Sequence, residues 1–424
     1  MTPDIIIIGA GASGLLAAVE AAKTGKSVAI IEARDRCGGR IHTMRKAPFS
    51  MPVETGAEFV HGNAELTKLL LKKAGATTVE TAGTLWMLDE DGLREQDDFV
   101  TDYRALSKKL KEPEQDIPVK QFIQQYLQED SYESLRKTLA NYVEGYYAAD
   151  TGLASTFALR EELSGSGDSQ LRITGGYQQL IRSLEQDAKQ HSVPVFLSQP
   201  VQEIRCSDGA VDIITAGETF HGKRAIVTIP AGTLRSGAVR FDPFPRQHMD
   251  ALHQLGFGPV IKVLLEFTSA FWRTETRGKD LSDAGFIFSQ QAIPTWWTQH
   301  PDSTPLLTGW AAGPNAQRLD GYSEAQLLDD AVGSLAVIFN RSSKDLRNLL
   351  RAFHIARWPD HPYTCGGYSY EVVGGRKHQE FLETPFMNVL YFAGEHLYKG
   401  RHIGTVEGAL ASGRETVHRV IASF

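Results

Sequence analysis

DIIIIGAGASGLLAAVEAAKTGKSVAIIEARDRCGGR, running from Asp4 to Arg40, is the stretch that decides the fold. Asp4 to Ala10 is an apolar run rich in β-branched Ile, too short for a helix and closed by glycine, so it reads as a buried strand. Gly9, Gly11 and Gly14 follow as G-x-G-x-x-G, then the alanine-rich helical run Leu15 to Thr24, which Gly25 stops. Ser27 to Ile31 is a second strand, with Glu32 at its end. Strand, glycine turn, helix, strand and acid in this order predict a dinucleotide site. Gly9 permits the tight turn, Gly11 lets a pyrophosphate approach the backbone, and Gly14 lets helix and strand pack closely. The helix N-terminus, with Ser13 in its first turn, faces the phosphates. Glu32 accepts hydrogen bonds from ribose hydroxyls. Ala33, Arg34, Gly39 and Arg40 continue the candidate surface, the Gly38-Gly39 pair and the arginines offering further N–H groups and positive charge.

Outward from that stretch, the chain has 424 residues, enough for roughly two or three domains of about 150 residues. Its 42% apolar and 22% charged residues are those of an ordinary globular protein able to bury a large core without metals or disulfides. A net charge of −7 argues against nucleic acid and suits a cationic substrate. Cys37, Cys206 and Cys365 are odd in number and have neither zinc nor disulfide spacing, which predicts a reducing compartment and no metal site. Met1 leads straight to the first strand, and no apolar run approaches ~20 residues, so a cytoplasmic protein without a membrane span is expected.

Past the first domain's opening, VETGAEFVHG (53–62) reads as a glycine-broken strand and loop, and residues 65–74 as a short helix. Residues 77–161 turn polar and read as helical. The glycine-led segment 175–190 is an amphipathic helix, residues 194–229 a β-meander ending in AIVTIP, and FDPFP (241–245) a break. IKVLLEF (261–267) alternates as a strand, with Ile261, Val263, Leu265 and Phe267 on one face and Lys262, Leu264 and Glu266 on the other. NVLYFAGEH is a strand and glycine turn, and the last helix begins near Thr405-Val406. The expected class is α/β, or α+β taken overall. A Rossmann-like domain is assembled from 1–76, 191–240 and 386–424. An inserted substrate domain of mixed sheet and helices is built from 77–190 and 241–385.

A lone G-x-G-x-x-G occurs in many folds, but several further motifs stand in order along this chain: TGGYQQL, PVQEI, AIVTIPAGTL, GFGPVIKVLLEFTSAFW, YFAGEH and GTVEGALASG. Together with the N-terminal stretch they resemble the flavin-containing amine oxidase family, the monoamine and polyamine oxidases, over nearly the whole length. The resemblance implies FAD, oxidation of a carbon–nitrogen bond to an imine, and reduction of dioxygen (O2) to hydrogen peroxide. It implies that the backbone at Val201 contacts adenine and that Trp358 borders the cofactor. It places Glu395 at the ribityl or pyrophosphate region, and the helix at Thr405 and Val406 with its N-terminus toward the flavin pyrimidine edge. It reverses the habit of a strand lysine to lie in solvent, since Lys262 matches the family lysine held beside a water at flavin N5.

Departures from the family narrow the expectation. Covalent members carry a cysteine nine residues after the tryptophan matched by Trp358; here that position is Gly367, and Cys365 is out of register, so FAD is expected to be non-covalent. Tyr368 matches one wall of the aromatic cage that orients the amine, but Thr405 stands on the opposite wall. Phe59 occupies the place of the carboxylate-binding arginine of amino-acid oxidases, and His61 a site near the substrate in polyamine oxidases. Trp296, Trp297, Trp310 and Tyr363 either line the pocket or pack. Two other readings stand beside this one: an FAD-dependent carbon–carbon desaturase resembling protoporphyrinogen oxidases, and a flavin-binding scaffold without turnover.

Overall fold

The computed structural model describes residues 2–164, 170–274 and 276–424. Five parallel strands form the first sheet, in the order Val195–Phe196, Val28–Ile31, Ile5–Ile8, Arg224–Val227 and Leu390–Phe392. The isoleucines explain its two-sided burial. Ile5, Ile7 and Ile30 pack into a cluster with the helix Ala12–Lys23 and the last helix, Val406–Ile421. Ile6, Ile8 and Ile31 point the other way, onto Ile204, Ile213 and Phe220 of the antiparallel strands 201–222.

The second body is built on a seven-stranded sheet, in the order Leu350–Arg357, Val260–Phe267, Leu306–Ala312, Thr295–Trp297, Ala284–Phe288, Thr84–Asp89 and Gly92–Gln96. Ile261, Val263, Leu265 and Phe267 pack under the helix Glu324–Phe339, as the alternation predicts. The opposite face is not solvated. Leu264 packs with Val53 and Leu306, Glu266 accepts from the Ser50 backbone at 2.8 Å, and Lys262 is 1% exposed. The segment around Ser50 to Gly56 therefore covers the face that the sequence pattern leaves open. Four helices between Tyr103 and Leu163 add a further apolar cluster around Phe122 and Leu139.

Three local expectations are corrected. Residues 77–161 are not helical throughout: Thr84–Asp89 and Gly92–Gln96 form a hairpin about Glu90 and Asp91, and Gly92 takes the positive φ that the turn requires. The helix Gln178–Gln190 lies with the first sheet, its Leu180, Ile181 and Leu184 sharing a cluster with Leu15 and Val19 of the first helix. The break at 241–245 is not where the chain leaves that sheet's core, because Met249, Leu252 and Leu255 beyond it join the cluster of Ile204 and Phe392.

Candidate active site

One cavity of about 510 Å³ runs from the first glycine turn to the face of the seven-stranded sheet, and the separated motifs of the sequence meet on its walls. At one end Gly9, Gly11 and Ser13 line it where the strand Ile5–Ile8 hands over to the helix Ala12–Lys23. Gly9 has φ +108°, a conformation that glycine alone adopts without strain. Gly14 does not line the cavity. A Cβ there would lie 1.9 Å from the Gly9 carbonyl oxygen, so its role is the close approach of helix to turn. The helix has no side-chain cap, and Ser13 Oγ is buried without a protein partner. Space is open where a Cβ on Gly11 would project. These unpaired donors and this opening suit phosphate oxygens, so the residues present fit a dinucleotide.

Glu32 also lines this end and has a structural duty beyond ribose binding: its carboxylate accepts from the backbone N–H of Ala10 at 2.6 Å and of Arg34 at 2.9 Å. Arg34 donates to Thr364 at 2.8 Å and pairs with His361. Burial, then the nearby Arg36, lowers the Arg34 pKa to about 10. Arg36, which the sequence reading passed over, donates to the carbonyls of Cys37, Gly39 and Ile41 and so holds the second glycine turn in shape. Ala33, Gly39 and Val201 complete the wall.

In the middle, Arg40 donates to Glu395 at 2.7 Å and to the Gly367 carbonyl at 2.8 Å, tying the N-terminal turn to the C-terminal motif. Trp358 donates through Nε1 to the Thr55 carbonyl at 3.0 Å and lines the cavity with one side. Thr405 is the N-cap of the last helix; its hydroxyl accepts from Gly408 N at 3.2 Å and donates to the His402 carbonyl at 2.7 Å. Thr405 and Val406 thus present a helix N-terminus to the cavity, and the Thr405 hydroxyl is already engaged.

The far end is aromatic. Phe59, Tyr146, Phe286, Trp297, Trp310 and Tyr368 line it. Trp310 lies nearly parallel to Tyr368, with ring centroids 6.4 Å apart. The strands that carry Trp297 and Trp310 supply further aromatic walls beside Tyr368, while Thr405 also lines the cavity. Trp296, one residue from Trp297, points into the sheet core instead, and Tyr363 lines the cavity beside Arg34. The Tyr368 hydroxyl donates to the Tyr146 carbonyl at 2.5 Å, and burial, then Glu395, raises its pKa. His61 is set edge-on against Tyr146 at 5.2 Å. Burial, then His402, lowers the His61 pKa to about 4, which leaves the imidazole neutral near pH 7. Cys365 is not in the lining; its thiol sits 3.6 Å from the Pro362 carbonyl.

Lys262 lines the cavity from the middle of its strand. Its Nζ donates to Glu58 Oε2 at 2.8 Å and to the Gly56 carbonyl at 3.1 Å, and lies 5.5 Å from the Trp297 ring centroid. Glu58 also accepts from Trp297 Nε1 at 3.0 Å and Arg172 Nε at 3.1 Å. Burial pushes the Glu58 carboxyl up, but Lys262 and Arg172 outweigh it and the net shift is downward, so the group is ionised. Neither Glu58 nor Arg172 was among the residues singled out from sequence. The usable signal was the cation at Lys262 itself: a lysine in a strand buried on both faces requires a carboxylate nearby.

The description "flavin containing amine oxidoreductase" belongs to the family that matches residues 101–421, and a Rossmann-like NAD(P)-binding domain matches residues 7–73. Among curated relatives, a probable polyamine oxidase 4 of Arabidopsis thaliana is 28% identical, with 97% of this chain and 85% of the relative covered. A polyamine oxidase 5 of Oryza sativa subsp. japonica is also 28% identical, over 97% of this chain and 86% of its own. Among solved structures, putrescine oxidase bound to putrescine superposes with a TM-score of 0.81 at 21% identity, covering 100% of this chain and 99% of the other. Cyclohexylamine oxidase from Brevibacterium oxydans IH-35A gives 0.82 at 19% identity, with the same coverage.

Proposed function

Because the chain belongs to the flavin-containing amine oxidoreductase family and is an FAD-dependent amine oxidase, we propose that its substrate is an amine carrying an extended apolar or aromatic body rather than a second cationic group. The observation that carries this reading is the aromatic end of the cavity. Its rings enclose an apolar body, and the carboxylates lining the cavity, Glu32, Glu58 and Glu395, are each engaged by donors of the protein itself. A second ammonium would find no uncommitted carboxylate among the described residues that line the cavity, and ring faces offset only ~0.5–2 kcal/mol of its desolvation.

In this reading FAD is bound without a covalent link, as the glycine at position 367 and the position of Cys365 outside the cavity support. The Val201 backbone would hold the adenine, Glu32 the ribose, and Gly9, Gly11, Ser13 and the adjoining helix the pyrophosphate, with Gly14 closing the turn. Ala33, Arg34, Gly39, Arg40, Trp358 and Glu395 would hold the length of the cofactor, and the helix N-terminus at Thr405 and Val406 would face its flavin end. The segments 1–76, 191–240 and 386–424, joined by the helix 178–190, carry the cofactor; the remainder of 77–385 carries the substrate walls. When bound, FAD supplies two-electron oxidation of the amine α-carbon at N5 and passes the electrons to dioxygen, giving hydrogen peroxide. Tyr368 and Trp310 flank the amine, which enters deprotonated. Phe59 and the neutral His61 shape the space behind it without adding charge. Lys262 holds a water by its remaining N–H and assists the transfer. The imine leaves for water and hydrolyses. A reducing, cytoplasmic setting belongs to the same reading; all three cysteines are free, and among the described residues no helix is long and apolar enough to cross a membrane.

The names of the curated relatives favour a second reading, a polyamine. An anaerobic flavin-bleaching screen separates the two. Straight-chain and arylalkyl monoamines are compared with α,ω-diamines of equal length, spermidine-type polyamines, N-methylated amines and amino acids. We expect monoamines to bleach the flavin at least tenfold faster than matched diamines. Diamines or polyamines reacting faster would establish the second reading. Failure of every amine to bleach it would refute both substrate readings.

A further inference from the structure

We infer that Glu58 is a positioning residue for the oxidation, presenting Lys262 to the cavity by fixing two of its three N–H donors and leaving the third for the reacting site. The inference rests on the role of Lys262 proposed above. An ammonium on a four-carbon stem rotates freely unless its donors are assigned. Here one goes to Glu58 Oε2 at 2.8 Å and one to the Gly56 carbonyl at 3.1 Å. Among the described residues the third has no protein acceptor, and Lys262 lines the cavity while only 1% exposed.

Glu58 is in turn held from the other side. Its Oε1 accepts from Trp297 Nε1 at 3.0 Å and from Arg172 Nε at 3.1 Å, and Arg172 is braced on the carbonyl of Thr298 at 3.2 Å. A carboxylate with both oxygens engaged and buried cannot rotate to meet the substrate, so it acts through the lysine. Lys262 and, behind it, Arg172 then set two cations against the Glu58 anion, and with Glu54 close by substantially neutral below about pH 7 this leaves one unit of positive charge next to the flavin end. Such fixed charge, already oriented in a dry site, stabilises negative charge that develops there. Trp297 serves both arrangements, tying the aromatic enclosure to the lysine through the carboxylate. The single residue Glu58 therefore couples the substrate wall to the cation.

A double-mutant cycle tests this, with flavin content and the midpoint potential of the bound FAD read beside the rates. Lys262→Met alone tests the lysine: a native rate would refute its role and leave Glu58 nothing to position. If it is slowed, Glu58→Gln should slow the native enzyme by roughly tenfold or more but slow the Lys262→Met enzyme by less than about twofold, the signature of two residues acting as one. Glu58→Gln removes a negative charge and should move the potential in the positive direction. Glu58→Asp keeps the charge but shortens the reach, so its potential should stay near native while its rate falls. If Glu58→Gln fails to retain FAD, Glu58→Asp in the two backgrounds carries the same comparison. Equal fold losses in both backgrounds, or native rates for the Glu58 variants, would overturn the proposal.

Discussion

Tyr368 presents two chemically different surfaces, and substitution separates them. Its hydroxyl is committed to the Tyr146 carbonyl at 2.5 Å, while its ring lies beside Trp310 on the cavity wall. Tyr368→Phe keeps the ring and removes one neutral hydrogen bond, worth about 0.5–1.5 kcal/mol of stability. Because that hydroxyl already serves the backbone, kcat/KM should change by no more than about threefold, while Tm falls by only about 1 °C for roughly 1 kcal/mol lost in a chain of 424 residues. Tyr368→Leu removes the ring face, worth ~0.5–2 kcal/mol to an arriving amine. It also opens the enclosure, so a loss of roughly tenfold is expected at 1.4 kcal/mol per decade. Burial, then Glu395, raises the phenol pKa, so the hydroxyl stays neutral below its ordinary value of 10 and the alkaline limb of kcat/KM should be the same in Tyr368→Phe and native enzyme. The assay is anaerobic stopped-flow bleaching across pH with one good monoamine. A hundredfold loss in Tyr368→Phe, or the disappearance of a pH limb with it, would refute the assignment of the role to the ring.

Gly14→Ala places a Cβ 1.9 Å from the Gly9 carbonyl oxygen and 3.0 Å from Thr228 Oγ1, an overpacking of about 1–3 kcal/mol or more at the phosphate turn. The flavin-to-protein absorbance ratio of the purified variant should fall well below native, whereas Gly333→Ala, with nothing within 4 Å in its helix, should leave it unchanged. Burial raises the Glu54 carboxyl from 4.5 to about 7, and its Oε2 is buried without a protein partner. A raised folded value means that its contribution to stability is whole below 4.5 and is lost as pH rises through about 7. Glu54→Gln should remove at most about 3 kcal/mol of that pH dependence in denaturant titrations at about pH 5 and about pH 8; an unchanged slope would refute the burial argument. Acid precipitation should release the yellow colour into the supernatant from native protein and from Cys365→Ser alike, and colour retained in the native pellet would contradict non-covalent FAD.

The cofactor end was legible because backbone geometry there admits few residues. A turn at φ +108° and a helix packed against a carbonyl select glycine at positions 9 and 14, and a fixed short spacing carries the signal in one stretch of chain. The alternation in 261–267 likewise placed Lys262 opposite the core face. What covers that second face was not legible. Strand period reports which residues share a side and is silent on whether solvent or another segment meets them. The aromatic enclosure failed for a related reason. Tyr368 was found by its match, but Trp297, Trp310 and Tyr146 come from separate elements brought together by sheet order and a helix, and Trp296 beside Trp297 has the same composition and the opposite fate. The break at FDPFP misled because proline marks an interruption of regular structure, while the apolar residues after it decide which core the chain joins.

Charge at the inner wall carries the argument furthest. Burying Lys262 alone would cost several kcal/mol, so its burial demands Glu58. Burying Glu58 between Lys262 and Arg172 leaves the group one positive charge in excess, and Glu54 close by is substantially neutral below its raised value of about 7. At the other side of the cavity Glu395 is matched by Arg40 and adds no compensating excess of negative charge. An amine approaching this wall as an ammonium meets repulsion that grows with each further cationic group, and the deprotonated amine meets none. On the proposed reading, the same excess charge would favour electrons arriving at the flavin end, would select the neutral form of the substrate, and would disfavour a diamine even where the length of the enclosure admits one. Arg172→Gln removes the excess and one donor to Glu58 Oε1 while leaving the Lys262 contact at Oε2 and the Trp297 donor in place. It should narrow the gap between matched mono- and diamines while moving the flavin potential in the negative direction. A variant that kept the native preference with a lowered potential would show that shape, not charge, sets the substrate.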